Sequence, residues 1–179
     1  KYRIRYNAYE EANDISEIKH PSVRECLRYL NLDERRIEMQ HNGDLPAMSG
    51  LGSSSAFTVG FLNSLCALTG QQVDELKLAR DAIHIEQNII KENVGSQDQA
   101  AAAFGGFNVI EFGSGGFSVK PINISDETLA ALGRHLMLFY IGRPRIASEI
   151  AQEQIANTPK KEKELTAMLV IADEAEKII

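Results

Sequence analysis

Residues 56–70, AFTVGFLNSLCALTG, contain no charged side chain and carry apolar residues around most of a helical circumference. Gly70 stops the run. A helix of this kind is stable in water only when other elements cover several of its sides. The rest of the chain must therefore fold around it, and 179 residues with 44% hydrophobic content are enough to build that core.

The segments on either side supply the cover. Residues 2–9 alternate as a strand does. Around SEIKHPSVRECLRYLNL, the residues Val23, Cys26, Leu27 and Leu30 recur at helical spacing, with Pro21 suited to the first turn. Residues 35–40 read as a short strand, and residues 73–92 as one long helix with Val73, Leu76, Ala79, Ile83 and Ile90 along one side. NVGSQDQ breaks that helix, and AAAAF begins another. FNVIEF, GSGG and FSVKPINI then form a hairpin. DETLAALG reads as a helix, and HLMLFYIG as a core strand containing Leu136, Met137, Leu138 and Phe139. RPRIASEIAQEQ opens a further helix, and one more closes the chain. Packed helices with an antiparallel hairpin predict an α+β fold.

Charge narrows the functional classes. The net charge is −6 with both signs interspersed, so there is no basic face for nucleic acid. No apolar run approaches the roughly 20 residues of a membrane helix. Cys26 and Cys66 both sit in apolar helical patterns and are expected as reduced core thiols of a cytoplasmic protein. The chain opens in strand-like alternation without a methionine and stops inside a helical pattern, so it is expected to be a piece of a longer protein.

The stretch before the apolar helix, DLPAMSGLGSSSAF (44–57), carries the chemistry. Gly50 and Gly52 allow a sharp turn and a close backbone approach to a ligand. Ser53, Ser54 and Ser55 add hydroxyls at a helix start, where free N–H groups and the helix dipole attract anions. A phosphate cradle is one reading, and a serine cap after a glycine loop is the other. The GxxxxGK[ST] pattern is absent, and the loop has no lysine.

Pro46, Gly50, Leu51, Ser53 and Ser54 resemble the P-x-x-x-G-L-x-S-S-A motif of the GHMP kinases, with Ser55 in place of the final alanine. Glu86, in HIEQN, resembles the family's Mg²⁺-ligating glutamate, and Asp98, in GSQDQAAAAFGG, its substrate-facing aspartate. Wider text, including YIGRPRIASEI, resembles the heptose 7-phosphate kinases within that family. The resemblance implies a ribosomal protein S5 domain 2-like ATP-binding domain over 1–125, lacking its first strands. It implies the beginning of a ferredoxin-like C-terminal domain over 126–179.

The implied cofactors are ATP and Mg²⁺, with Pro46 and the loop from Ser49 through Gly50, Leu51, Gly52, Ser53 and Ser54 to Ser55 around the phosphates. Ser54 and Glu86 would hold the metal as hard oxygen ligands, and Asp98 would orient or deprotonate the attacking hydroxyl. Arg145, with Arg143 beside it, and Lys19 and His20 at a helix start are candidates for a sugar phosphate. The implied substrate is a sugar phosphate, with no nucleic-acid or membrane partner and a homodimer left open. Another GHMP kinase, of fucose, galactose or mevalonate type, and a nucleotide-binding regulator of the same fold are the competing classes. His41 and His135 lack partners at ligand spacing, so zinc is not expected.

Overall fold

The computed structural model describes residues 1–44, 50–139 and 147–179, with side chains omitted for 147–150. β1 (Tyr2–Arg5) and β2 (Tyr9–Ala12) form an antiparallel hairpin in which Arg5 faces Tyr9. β3 (Glu38–Gln40) joins the other edge of β1 in parallel, giving the order β2-β1-β3. The single strand expected over 2–9 is thus two, because the chain turns at Tyr6–Ala8, where the Tyr6 N–H donates to the Ala8 carbonyl at 2.9 Å. Alternation sends Tyr2 and Ile4 into the core with no exposed surface, while Arg3 stays outside and pairs with Glu38 and Glu11.

α1 (Pro21–Tyr29) starts with Pro21 in its first turn and buries Val23, Cys26 and Leu27. The Glu10 carboxylate fixes the approach to it, accepting the backbone N–H groups of Lys19 and His20 at 2.6 and 3.2 Å and the Tyr6 hydroxyl at 2.7 Å. α2 (Ser53–Leu68) buries Ser55, Thr58, Val59, Phe61, Leu62, Leu65 and Cys66, so the apolar run is covered as expected. The core joins Tyr2, Ile4, Ile18, Val23, Leu27, Leu62 and Ile85. Each such buried aliphatic side chain contributes about 1.5–3 kcal/mol.

The long helix expected over 73–92 is shorter and changes its winding. α3 (Glu75–His84) begins at Asp74, whose carboxylate caps the Lys77 N–H at 2.6 Å. It passes into a π-helical turn, Ile85–Ile90, which ends at Lys91 in the left-handed region with φ +64°. The buried face is Leu78, Ala79, Ala82, Ile85 and Glu86, rotated from the stripe of larger apolar residues that the spacing suggested. That face packs on α2 and α4 (Gln97–Phe104).

β4 (Asn108–Gly113) and β5 (Gly116–Pro121) make the expected hairpin. α5 (Asp126–Arg134), α6 (Ala147–Asn157) and α7 (Glu162–Ile178) follow, and neither α5 nor α7 contains a buried residue. The core strand expected from HLMLFYIG is corrected over its described part. Leu136, Met137, Leu138 and Phe139 are 67–83% exposed and form no strand. A strand exists only through ladder partners, and no described strand pairs with this run.

His20 gives the fold a pH handle. Its Nδ1 accepts the Val23 N–H at 3.5 Å to cap α1, and its ring lies between Tyr6 and Phe57, each 4.9 Å away. Burial pushes the imidazole below its ordinary 6.5, with His41 adding to the shift and Glu10 opposing it. A depressed histidine contributes stability above its unfolded pKa and loses it as the pH falls through the folded value. Thermal unfolding should show His20→Asn, which keeps the cap, gaining Tm relative to the natural protein as the pH drops from about 7 to about 5. A pH-independent difference would remove His20 from this role.

Candidate active site

The glycine-serine loop meets α2 through Gly52, which caps the helix with φ +69° and no side-chain cap bond. Gly50 also has a positive φ, +78°. The three serines therefore occupy the first turn itself and leave the N-cap position to a residue without a side chain. This argues against the serine-cap reading of the loop. The Ala56 N–H bonds back to the Gly52 carbonyl at 2.9 Å, while the N–H groups of the preceding turn point out of the helix end.

Asp98 stands directly over this helix start. It lies in the first turn of α4, exposed, and a Cβ placed on Gly52 would lie 3.0 Å from both its Cγ and its Oδ2. Only glycine allows this approach, both sterically and by its backbone conformation. Packing of α2 against α4 thus places the loop and the carboxylate side by side.

Glu86 occupies the interior behind them with no exposed surface. The Ser55 hydroxyl donates to its Oε2 at 2.8 Å, and the Gln99 amide donates to the same oxygen. Oε1 of Glu86 and Oε1 of Gln99 are buried without a hydrogen-bond partner among the described residues. The sequence expects Ser54 to share a metal with Glu86, and the hydroxyl that bonds Glu86 directly is that of its neighbour Ser55. Ser54 points to solvent, and Ser55 holds the glutamate. Successive residues sit about 100° apart on a helix, and at this turn it is Ser55 that faces Glu86.

Charge accumulates around Glu86. Burial first, and then the Glu86 carboxylate, raise the pKa of half-buried Glu92 from its ordinary value. Burial and the same charge push the buried Cys26 thiol up. Both cysteines are free and buried, as the sequence led us to expect. Among the described residues no cluster of three His, Cys, Asp or Glu side chains forms a ready metal site.

The remaining candidates fall in three groups. Pro46, Ser49, Arg143 and Arg145 lie outside the described residues. His20 reaches the α2 start through its contact with Phe57, whereas Lys19 is exposed. Gly50, Leu51 and Ser53 border the loop, and Leu51 and Ser53 line a cavity of roughly 780 Å³ with Met39, His41, Phe57 and Phe61. Sequence reading did not single out Gln99 or Glu92. Gln99 follows Asp98 directly, and a polar residue at a position that α4 turns inward was the available signal.

Comparison with known proteins follows this geometry. Residues 20–106 match the GHMP kinases N terminal domain. The chain is 33% identical over 136 residues to the D-glycero-alpha-D-manno-heptose 7-phosphate kinase of Campylobacter jejuni subsp. jejuni, covering 75% of this chain and 40% of that protein. It superposes with a TM-score of 0.66 and 25% identity on the crystal structure of a D-glycero-D-manno-heptose 1-phosphate kinase from Bacteriodes thetaiotaomicron, covering 72% of this chain and 46% of the other. The chain thus spans under half the length of these relatives. The mixed α+β architecture matches that of the heptose 1-phosphate kinase structure over the superposed part, and Gly52, Glu86 and Asp98 all lie inside the segment, residues 20–106, that resembles the GHMP kinases N terminal domain.

Proposed function

We propose that this protein is an ATP-dependent kinase that phosphorylates the anomeric hydroxyl of a sugar phosphate, D-glycero-D-manno-heptose 7-phosphate, giving the 1,7-bisphosphate. The observation that carries the reading is the contact of Gly52 with Asp98, which sets a phosphate-sized helix terminus beside an exposed carboxylate. Names of the two relatives support a heptose phosphate, although they differ in the phosphate position.

In this reading the first-turn N–H groups of α2 and the Ser53 and Ser54 hydroxyls bind the ATP phosphates. The cavity beside Leu51 and Phe57 has the size and apolar lining to take the nucleoside. Asp98 orients the sugar hydroxyl in line with the γ-phosphorus and accepts its proton. The new O–P bond forms as the bond to the β,γ-bridging oxygen breaks, and ADP leaves. Mg²⁺, when bound, supplies charge neutralisation on the phosphoryl oxygens. The unpartnered Oε1 of Glu86 fits a hard cation, with a first-turn serine hydroxyl as its companion.

Arg145, Lys19 and His20 are assigned to the sugar phosphate. Residues 1–125 form the nucleotide-binding domain, and residues 126–179 begin a second one. Support for that division is that, among the described residues, the buried core lies before residue 101. The proposed location is the cytoplasm, and a homodimer is left open. No described helix is long and apolar enough to cross a membrane.

ADP release with Mg–ATP should be seen with the heptose phosphate and not with galactose, fucose, homoserine or mevalonate. Turnover of another member would keep the site and replace the substrate, and ATP binding without any turnover would favour the regulator class. Asp98→Asn should cut turnover at least roughly 100-fold and leave Mg–ATP affinity within about threefold. Near-normal turnover would remove Asp98 from the chemistry. Gly52→Ala should lower turnover by roughly 100-fold by displacing Asp98. Gly133→Ala, in α5 with open space around the new Cβ, should leave turnover unchanged. Equal activity of both variants would deny the Gly52–Asp98 contact its importance.

A further inference from the structure

Both hydrogen bonds to Glu86 end on one oxygen. Ser55 donates to Oε2 from the first turn of α2, and Gln99 donates to Oε2 from the first turn of α4. Oε1 receives no hydrogen bond from the described residues, although the side chain is wholly buried. A carboxylate presents about four acceptor sites, and a buried charge with an unmet oxygen is costly. Among the described residues no Lys, Arg or His forms an ion pair with it. A glutamate serving only the packing would spread its donors over both oxygens or be replaced by an apolar residue.

The Gln99 amide has one workable orientation. Exchanging its oxygen and nitrogen would set a carbonyl against the carboxylate, so the carboxylate fixes the amide, and Gln99 Oε1 has no partner among the described residues. Gln99 adjoins Asp98 on α4, and Ser55 shares a helical turn with the phosphate loop. The carboxylate is therefore tied by one oxygen to both halves of the site.

We infer that Gln99 and Ser55 are positioning residues that anchor Glu86 through Oε2 so that Oε1 is held for a divalent cation. The inference rests on the metal role assigned to Glu86 above. It also gives a use to Ser55, the one departure from the family motif, since an alanine there could not donate.

The test is a titration of the complete protein with Mn²⁺ at one equivalent of ADP, reading free ion by its EPR signal. Metal-free ADP affinity and circular dichroism are followed beside it. Gln99→Met, which keeps length without an N–H, and Ser55→Ala should each weaken Mn²⁺ binding roughly 10-fold. ADP affinity without metal should stay within about twofold, and Ser55→Thr should restore Mn²⁺ binding. Wild-type Mn²⁺ affinity in Gln99→Met and Ser55→Ala, with weakened binding in Glu86→Gln, would overturn the positioning role and leave Glu86 as a ligand. Wild-type affinity in Glu86→Gln would overturn the metal reading itself. If Gln99→Met does not fold, the Ser55→Ala and Ser55→Thr pair decides alone: loss and restoration support the role, and no change refutes it.

Discussion

A fully buried carboxylate with two donors on one oxygen and, among the described residues, none on the other sets the terms for the centre of this molecule. Burying a charge costs several kcal/mol unless partners compensate it, so the elements around Glu86 have to be arranged for it. α2 brings a hydroxyl, α4 brings an amide, and the π turn carries the glutamate between them. The same three elements place the glycine-serine loop and Asp98. The cost of burial at Glu86 and the geometry at Gly52 are thus two aspects of one packing arrangement.

The π turn is the local device that makes this possible. A regular α-helix through 85–90 would advance about 100° per residue, whereas the wider turn changes which side chains face the core. Ile85 and Glu86 are consecutive and both are wholly buried. Such insertions are frequent at functional sites. Lys91, forced to φ +64°, ends the turn at a position where glycine or asparagine is the ordinary choice. Local irregularity at both ends of the site, Gly52 and Lys91, is balanced by the regular core of α1, α2 and α3.

Much of the architecture was legible before any coordinates. The α2 apolar run, the Pro21 start of α1, the Asn108–Pro121 hairpin and the α+β class all follow from local chemistry: hydrophobic period, proline and glycine preferences, and turn residues. The misreadings share one cause. Leu136 to Phe139 have strand composition without a strand partner, and residues 73–92 have helical period without a signal for the change of winding. Composition reports what a segment can form, while partners decide what it does form.

For the site, the sequence by itself determined the residue types and their order: a glycine-serine loop before a buried helix, then a glutamate, then an aspartate. It could not determine which serine turns inward, because three consecutive hydroxyls are chemically alike. The tertiary structure chose Ser55, which meets Glu86 from 31 residues away, and recruited Gln99 from 13 residues away. It also chose Gly52 as the point where loop and Asp98 touch. Local propensity acts over one or two turns of chain, whereas these contacts exist only where the packing of α2, α3 and α4 brings distant backbones together.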